Sequence, residues 1–86
     1  MKLNRKHAET LAAIFADPVL SGIAWRDIEA LFLALGAEIT EGSGSRVRVA
    51  LKNVRAVFRR PHPQKETDRG AVKSARRFLQ EADIKP

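Results

Sequence analysis

The feature that most constrains the fold is a pair of alternating segments joined by a short turn. In Arg46-Val47-Arg48-Val49 basic residues alternate with β-branched ones, and Val54–Arg59 alternates in the same way except at Val57. A period of two is typical of strands with one buried face and one solvent face. The turn is Lys52-Asn53, where Asn53 is expected to take the positive φ because asparagine tolerates it. The sequence therefore predicts an antiparallel hairpin of Arg46–Leu51 and Val54–Arg59.

The two faces of this hairpin differ in polarity. One face is apolar and carries Val47, Val49, Leu51, Val54, Ala56 and Phe58. The other face is positive, apart from Val57, and carries Arg46, Arg48, Arg55 and Arg59. Because apolar side chains are stabilised by leaving water, the apolar face is expected to share a core with Ile28, Leu31, Phe32, Val72, Phe78 and Leu79. The positive face is left open.

A loop rich in glycine and serine, Glu41-Gly42-Ser43-Gly44-Ser45, leads into the hairpin. Serine hydroxyls, free backbone N–H groups and the guanidinium groups of Arg46 and Arg48 are together suited to hold a phosphate ester. The plainer interpretation is an ordinary hairpin loop followed by solvated arginines. The segment alone does not exclude either interpretation.

Two helices and a short strand are predicted before this loop. Apolar residues at three- and four-residue spacing predict a first helix over Leu3–Ala16, which Asp17-Pro18 ends, and a second helix over Trp25–Leu35, which Gly36 ends. A strand is expected over Ala37–Thr40. Trp25 is expected in the core, as an anchor for the start of its helix rather than as a platform for stacked bases.

One more helix is predicted after the hairpin. It runs from Gly70 or Ala71 to Ala82, follows a cap at Thr67 or Asp68, and is expected to expose Arg76 and Arg77. Between hairpin and helix, the prolines around His62 are expected to break regular structure over 61–66. The order helix, helix, three strands, helix is typical of a two-layer α+β domain, with helices on one face of a three-stranded antiparallel sheet.

Length and composition limit the class of protein. The chain has 86 residues, which allow a single domain with one core. It has no cysteine, which excludes disulfides, thiolate metal sites and cysteine nucleophiles. No metal or other cofactor is expected. Neither a signal peptide nor a membrane-spanning segment is expected, so the predicted location is cytoplasmic with no membrane partner.

Positive charge is concentrated in the second half of the chain. The net charge is +6, from 16 Lys and Arg against 10 Asp and Glu. Between residues 46 and 77 the only acidic residues are Glu66 and Asp68. The basic residues of the same span are Arg46, Arg48, Lys52, Arg55, Arg59, Arg60, Lys65, Arg69, Lys73, Arg76 and Arg77. Such a balance suits a polyanion, an acidic protein or an anionic membrane surface.

Several short motifs stand in a specific order. They are Trp25–Glu29 with Leu31 and Gly36, Gly44–Arg46, Pro61–Pro63, Gly70–Lys73 and Phe78–Ile84. Together they resemble the HicA-type mRNA interferase toxins of bacterial type II toxin–antitoxin systems. The resemblance implies a double-stranded-RNA-binding-domain-like fold, cleavage of mRNA without a metal, and neutralisation by a HicB-type antitoxin that covers the active site. Residues 1–24 lie outside it and are expected to be a helical extension of a HicA-like core over 25–86.

The chain departs from that family at one position. Familiar members carry their catalytic histidine after the Gly-Ser pair, where this chain has Arg46. Arginine stays protonated and cannot accept the 2′-hydroxyl proton, but it can stabilise charge on the scissile phosphate. The remaining candidates for a base are His62, His7 and Glu41. We therefore predict that Arg46 clamps the phosphate and that His62 is the general acid or base; the alternative for His62 is a rigid surface loop between prolines.

Three functions fit these residues. One is a toxin of the endoribonuclease type that acts through Arg46 and His62. Another is an RNA-binding module of the same fold that cleaves poorly, and a third is a basic subunit whose main role is complex formation with an acidic partner. RNA binding is assigned to the loop, the positive face and one residue beyond the hairpin, namely Gly44, Ser45, Arg46, Arg48, Arg55, Arg59 and Lys65.

Overall fold

Helices and short strands follow one another along the chain. The computed structural model describes residues 3–62 and 65–86, so Pro63 of the proline segment lies outside the described residues. In chain order the elements are α1 (Arg5–Ile14), β1 (Ile23–Ala24), α2 (Trp25–Ala34), β2 (Glu38–Glu41), β3 (Arg46–Leu51), β4 (Val54–Arg59), β5 (Glu66–Thr67) and α3 (Arg69–Glu81). The predicted bounds of the hairpin are confirmed, and the predicted helices are correct to within a few residues at each end.

An antiparallel sheet with the order β2-β3-β4 forms one layer. Arg46 lies opposite Arg59 across β3 and β4, and Val47 lies opposite Phe58. Val47 and Phe58 are buried, whereas both arginines are exposed. The predicted division into an apolar and a positive face is therefore confirmed, and the fold is of the predicted α+β, double-stranded-RNA-binding-domain-like class.

The helices form the second layer and cover the apolar face. An aromatic cluster joins the layers, because the Phe58 ring of β4 lies between Trp25 and Phe32 of α2 and Phe78 of α3, with ring centroids 5.5, 5.6 and 5.8 Å away. Trp25 is buried at the start of α2, where no side chain caps the helix, as the sequence predicts. At the start of α3, a side-chain oxygen of Asp68 accepts a hydrogen bond of 2.8 Å from the Ala71 N–H.

α1 packs against this core rather than standing apart from it. Leu11 and Ile14 are buried, and Asn4 caps the helix by accepting a hydrogen bond from the His7 N–H. Arg76 of α3 donates from Nε to the Ile14 carbonyl at 2.9 Å and from Nη2 to the Ala16 carbonyl at 2.6 Å. The expectation that Arg76 faces solvent is therefore wrong, because its guanidinium satisfies backbone carbonyls at the end of α1.

A second, two-stranded ladder pairs β1 with β5. Ile23 lies opposite Thr67 and Ala24 opposite Glu66, and the Trp25 N–H donates to the Lys65 carbonyl at 3.0 Å. The expectation that 61–66 is irregular is thus wrong at Glu66, which pairs with Ala24. Strands of two residues show no period in a sequence, so their pairing is visible only in the folded chain.

The hairpin turn differs from the prediction in one backbone angle. Lys52 takes the left-handed conformation, with φ 57°, and Asn53 is not among the described residues with positive φ. In a two-residue hairpin the first central position requires positive φ, so the geometry of the turn prevails over the preference of asparagine. Among residues 3–62 and 65–86, no helix combines the length and the apolar character needed to cross a membrane.

Candidate nucleic-acid interface

The positive face of the sheet presents guanidinium groups that have no acidic partner among the described residues. Arg46, Arg48, Arg55 and Arg59 are all exposed, and none forms an ion pair with any residue that the structure describes. Arg46 and Arg59 are directly opposite each other on neighbouring strands. Like charges in such a cross-strand pair are destabilising, so an anion bound between them would relieve the repulsion. The register therefore concentrates positive charge at the point where Arg46 and Arg59 meet.

The Gly-Ser loop is a closed turn that fixes the backbone of Arg46. The Gly42 N–H donates to the Arg46 carbonyl at 2.8 Å, and the Arg46 N–H donates to the Ser43 carbonyl at 3.1 Å. A Cβ on Gly42 would lie 3.2 Å from the Arg46 carbonyl oxygen, and Gly44 has a φ of 59°. Glycine at 42 permits the close approach, and glycine at 44 permits the left-handed turn.

Two neighbouring hollows connect Arg46 with His62. A hollow of about 400 Å³ is lined by Ser43, Gly44, Ser45, Arg46 and Arg59. A larger groove of about 670 Å³ runs on to His62 and the start of α3. Ser45 and Arg59 line both of them. A nucleotide strand could therefore contact Arg46 at one end of a continuous surface and His62 at the other.

The larger groove also holds groups that the sequence analysis did not assign to a site. Glu66 and Asp68 line it together with the exposed His62. Asp68 already serves as the cap of α3, whereas the exposed Glu66 forms no side-chain hydrogen bond or ion pair within the described residues. Glu66 thus adds to the groove lined by His62 a carboxyl group without such contacts among the described residues. The sequence analysis did not predict this position, because residue 66 reaches the groove through the β1–β5 ladder, which has no local sequence pattern.

Arg60 anchors the Gly-Ser loop, a role that the sequence analysis did not predict. Its N–H donates to the Ser45 carbonyl at 2.8 Å, which extends the β3–β4 ladder by one pair. Its guanidinium donates to Glu29 from Nε at 2.7 Å and to Glu41 from Nη1 at 2.7 Å. The Trp25 indole N–H also donates to the Glu29 carboxylate. Arg60 therefore ties both ends of the loop to α2.

The sequence contained a signal for Arg60. The period of two in β4 places residue 60 on the same face as Ala56 and Phe58, which is the apolar face. A charge on a face that packs against helices needs a partner, because desolvation without one is costly. The sequence alone did not show that Glu29 and Glu41 are the partners.

These ion pairs change the candidates for a general base. The hydrogen bond from Arg60 holds the pKa of the Glu41 carboxyl below its usual value, and the hydrogen bond to Glu29 raises the pKa of Arg60. A carboxylate of lowered pKa is a weaker base, so Glu41 is less suited to accept the 2′-hydroxyl proton. His7 lies on α1, which packs on α2 and α3 away from the loop. His62 and Glu66 remain at the groove.

The other predicted residues divide into two groups. Arg48 and Arg55 line a further hollow on the positive face, of about 490 Å³, with Thr40 of β2. Lys65 does not lie on the positive face. It lies beyond Pro61, in a hollow with Ala24, Trp25 and Arg26. In the described part of the chain no group of three His, Asp or Glu side chains is arranged to hold a metal ion.

Comparison with known proteins identifies a family for most of the chain. The model of the family described as HicA toxin of bacterial toxin–antitoxin systems matches residues 25–84, which include the loop, both strands of the hairpin and α3. α1 precedes the matched region. A comparison with curated proteins and another with solved structures each found no significant match. Since the matched region covers more than half of the 86 residues, the chain belongs to the HicA family of bacterial toxins.

Proposed function

We propose that this HicA-family toxin is an RNA-binding, metal-independent mRNA endoribonuclease that acts in the cytoplasm and is neutralised by a HicB-type antitoxin. The observation that carries the proposal is the continuity of the two hollows. Arg46 and His62 lie at its two ends, while Ser45 and Arg59 line both parts. RNA supplies the phosphate that the arginines of the positive face favour and the 2′-hydroxyl that cleavage without a metal requires.

In this proposal the arginines stabilise charge and do not transfer protons. The phosphodiester lies between Arg46 and Arg59, where two guanidinium groups can stabilise the charge that develops on the phosphoryl oxygens. His62 takes the proton of the 2′-hydroxyl as its oxygen attacks phosphorus, or protonates the leaving 5′-oxygen. Glu66 lines the same groove and is the candidate for the complementary proton transfer. The remaining predicted contacts, by Gly44, Ser45, Arg48, Arg55 and Lys65, would hold the flanking chain.

Cleavage of a long RNA by variants at position 46 tests the assignment. Wild type, Arg46→Ala, Arg46→Lys and Arg46→His are compared without antitoxin and in the presence of a metal chelator. We expect Arg46→Ala to weaken RNA binding by about 1–3 kcal/mol, as for a lost hydrogen bond to a charged group, and Arg46→Lys to weaken it less. Arg46→His should restore or raise cleavage, because histidine titrates near neutral pH.

Arg5→Ala is the matched control, because Arg5 is an exposed arginine on α1 outside the interface. Equal cleavage by wild type and Arg46→Ala would show that Arg46 is not in the site. His62→Gln should abolish cleavage and leave RNA binding nearly unchanged. Rapid cleavage by His62→Gln would exclude His62 as the acid or base.

A second function is favoured by one observation, the arginine at the position of the family's catalytic histidine. It is an RNA-binding or complex-forming module of the same fold that does not cleave. RNA integrity in cells that express the chain, alone or with the neighbouring open reading frame, separates the two functions. Intact RNA with tight, salt-sensitive RNA binding would favour the module, and weak binding at all salt concentrations would favour the complex-forming subunit.

A further inference from the structure

The outer edge of β4 carries backbone groups with no partner in the sheet. The Arg60 N–H donates to the Ser45 carbonyl, so residues 45 and 60 form a hydrogen-bonded pair. In an antiparallel ladder such pairs alternate, so Ala56 and Phe58 also direct their N–H and C=O groups toward β3. The N–H and C=O groups of Arg55, Val57 and Arg59 then point away from the sheet.

This edge is long and accessible. β4 is the last strand of its sheet, and within residues 3–62 and 65–86 no backbone or side-chain hydrogen bond reaches Arg55, Val57 or Arg59. Val57 is 62% exposed, one of the few large apolar side chains that face solvent. Unpaired edges are templates for another strand, and native proteins often protect them with charge. Here the two other residues with outward backbone groups, Arg55 and Arg59 on either side of Val57, are both charged.

A groove runs beside the edge and could receive side chains of an added strand. It has a volume of about 270 Å³ and lies between β4 and one face of α3. Its walls are Arg55, Ala56, Val57 and Phe58 on the strand and Ser74, Arg77, Phe78 and Glu81 on the helix. The larger groove at His62 continues it, since Val57, Phe58 and Ser74 line both. An added strand would thus contact both the edge of β4 and α3.

The chemistry of the two sides specifies the strand that fits. Successive side chains of an added strand would point alternately to the arginine face and to the groove beside Phe78. Acidic side chains match the first side, where Arg55 and Arg59 are exposed without ion pairs to described residues. Small apolar side chains match the second. The two requirements describe a segment in which acidic and apolar residues alternate.

A second copy of this chain does not meet these requirements. The most complete antiparallel pairing of two β4 edges is centred on Val57 and places Arg55 of each copy opposite Arg59 of the other. Like charges in directly opposite positions are destabilising. RNA is attracted by the arginine side chains, but it cannot continue the alternating backbone ladder of a sheet.

We propose that the β4 edge and the adjoining groove form a docking site for an extended segment of a partner protein, with alternating acidic and apolar residues, that adds a fourth strand to the sheet. This inference goes beyond the proposed function and does not require RNA cleavage. A strand at this place would cover Arg59 and the approach to His62, so docking would also obstruct the RNA surface.

A direct test uses a soluble peptide in which glutamate alternates with valine, bound to the full chain and followed by fluorescence anisotropy. The control peptide alternates lysine with valine. Two further peptides carry backbone N-methyl groups, one on every glutamate and the other on every valine. A strand added at an edge directs only alternate N–H groups to its neighbour, so we expect one methylated peptide to lose binding by at least tenfold and the other to retain it.

Amide hydrogen exchange locates the peptide on the protein. In the free chain the N–H groups of Arg55, Val57 and Arg59 should exchange rapidly, while those of Ala56 and Phe58 are protected. The glutamate peptide should slow exchange at the three outward positions. Val57→Pro removes one outward donor, which an edge strand tolerates, and should weaken peptide binding about tenfold, as for one lost hydrogen bond. The control for the loss of exposed apolar surface is Leu33→Glu, at an exposed leucine of α2. Proline is not used at this position because it would break the helix.

Each other outcome overturns the proposal. These outcomes are equal binding of the glutamate and lysine peptides, equal effects of the two methylation patterns, or unchanged exchange at the outward positions. Protection of these amides in the free chain at high protein concentration, with dimers in sedimentation, would assign the edge to a second copy. The same alternating protection on addition of RNA alone would assign it to RNA. If the protein did not cleave RNA, the proposed function would be refuted, but peptide binding at the β4 edge would still support the docking site.

Discussion

Arg60 and Glu29 form a two-pronged ion pair, in which Nε of Arg60 lies 2.7 Å from Oε2 of Glu29 and Nη2 lies 3.1 Å from Oε1. The pair is partly buried, with Glu29 18% and Arg60 35% exposed. Planar guanidinium and carboxylate groups that meet in this way fix each other's orientation as well as their distance. The pair therefore holds the end of β4 and, through the Arg60 N–H, the Ser45 carbonyl in one position relative to α2.

We expect Glu29→Gln to lower the free energy of unfolding by about 1–3 kcal/mol, between the values for exposed and for buried ion pairs. Glutamine can keep one oxygen toward the Trp25 indole, but it replaces Oε1, which accepts from Nη2 of Arg60, with an amide donor, so the change removes both the charge and the second hydrogen bond of the pair. Urea denaturation measures the effect. Glu9→Gln, at an exposed position of α1, is the control and should change stability by less than about 0.5 kcal/mol. Equal effects of the two substitutions would show that the ion pair is not stabilising.

The link between Glu41 and Arg60 predicts a dependence on pH. The hydrogen bond from Arg60 holds the pKa of Glu41 below its usual value of 4.5 in the folded chain. The bond therefore stabilises the fold above the unfolded-state pKa, and this stabilisation is lost as the pH falls through the folded-state pKa. We expect wild type to melt at a higher temperature than Glu41→Gln at neutral pH, with the difference disappearing in acid.

Glu38→Gln provides the comparison for this measurement, since Glu38 is exposed on the same strand and has no ion pair within the described residues. Its difference from wild type should vary less with pH. A difference between wild type and Glu41→Gln that persists at a pH well below both the unfolded-state and the folded-state pKa of Glu41 would contradict the assignment.

The register of the hairpin predicts opposite outcomes at two adjacent residues. Phe58 is 5% exposed within the aromatic cluster, whereas Val57 is 62% exposed. We expect Phe58→Ala to cost about 3–5 kcal/mol in the free energy of unfolding, because it leaves a cavity in the core. Val57→Ala should cost less than about 0.5 kcal/mol. If urea denaturation gave the reverse order, the strand would be displaced by one residue.

Much of this hairpin could be predicted because its information is local. The alternation in Arg46–Leu51 and Val54–Arg59 repeats over enough residues to determine both the strands and their faces. The β1–β5 ladder lacked such a pattern, and the period of β4 placed Arg60 on the apolar face without identifying its partners. Its partners Glu29 and Glu41 are 31 and 19 positions away. Such distant pairs form through tertiary packing, which local patterns do not encode.

Arg76 and Arg77 are a second adjacent pair with contrasting surroundings. Arg76 donates to carbonyls at the end of α1 and lies over the Phe15 ring, whereas Arg77 is exposed. We propose that residues 1–24 are an extension of the core over 25–86 and that Arg76 fastens it. Arg76→Ala should therefore lower the free energy of unfolding by about 1–3 kcal/mol, as for lost hydrogen bonds to a charged group. Arg77→Ala is the control, and similar losses in urea denaturation would refute the role of Arg76.

The contact of Arg76 with Ala16 also has a consequence for synthesis on the ribosome. The two residues are 60 positions apart, so the carbonyls at the end of α1 acquire this partner only after α3 has been made. The two strands of the β1–β5 ladder are likewise separated by about half of the chain. A nascent chain that stops before α3 therefore lacks the contacts that join its first helix to its last. Folding of this domain is therefore expected to be completed only once α3 has left the ribosome.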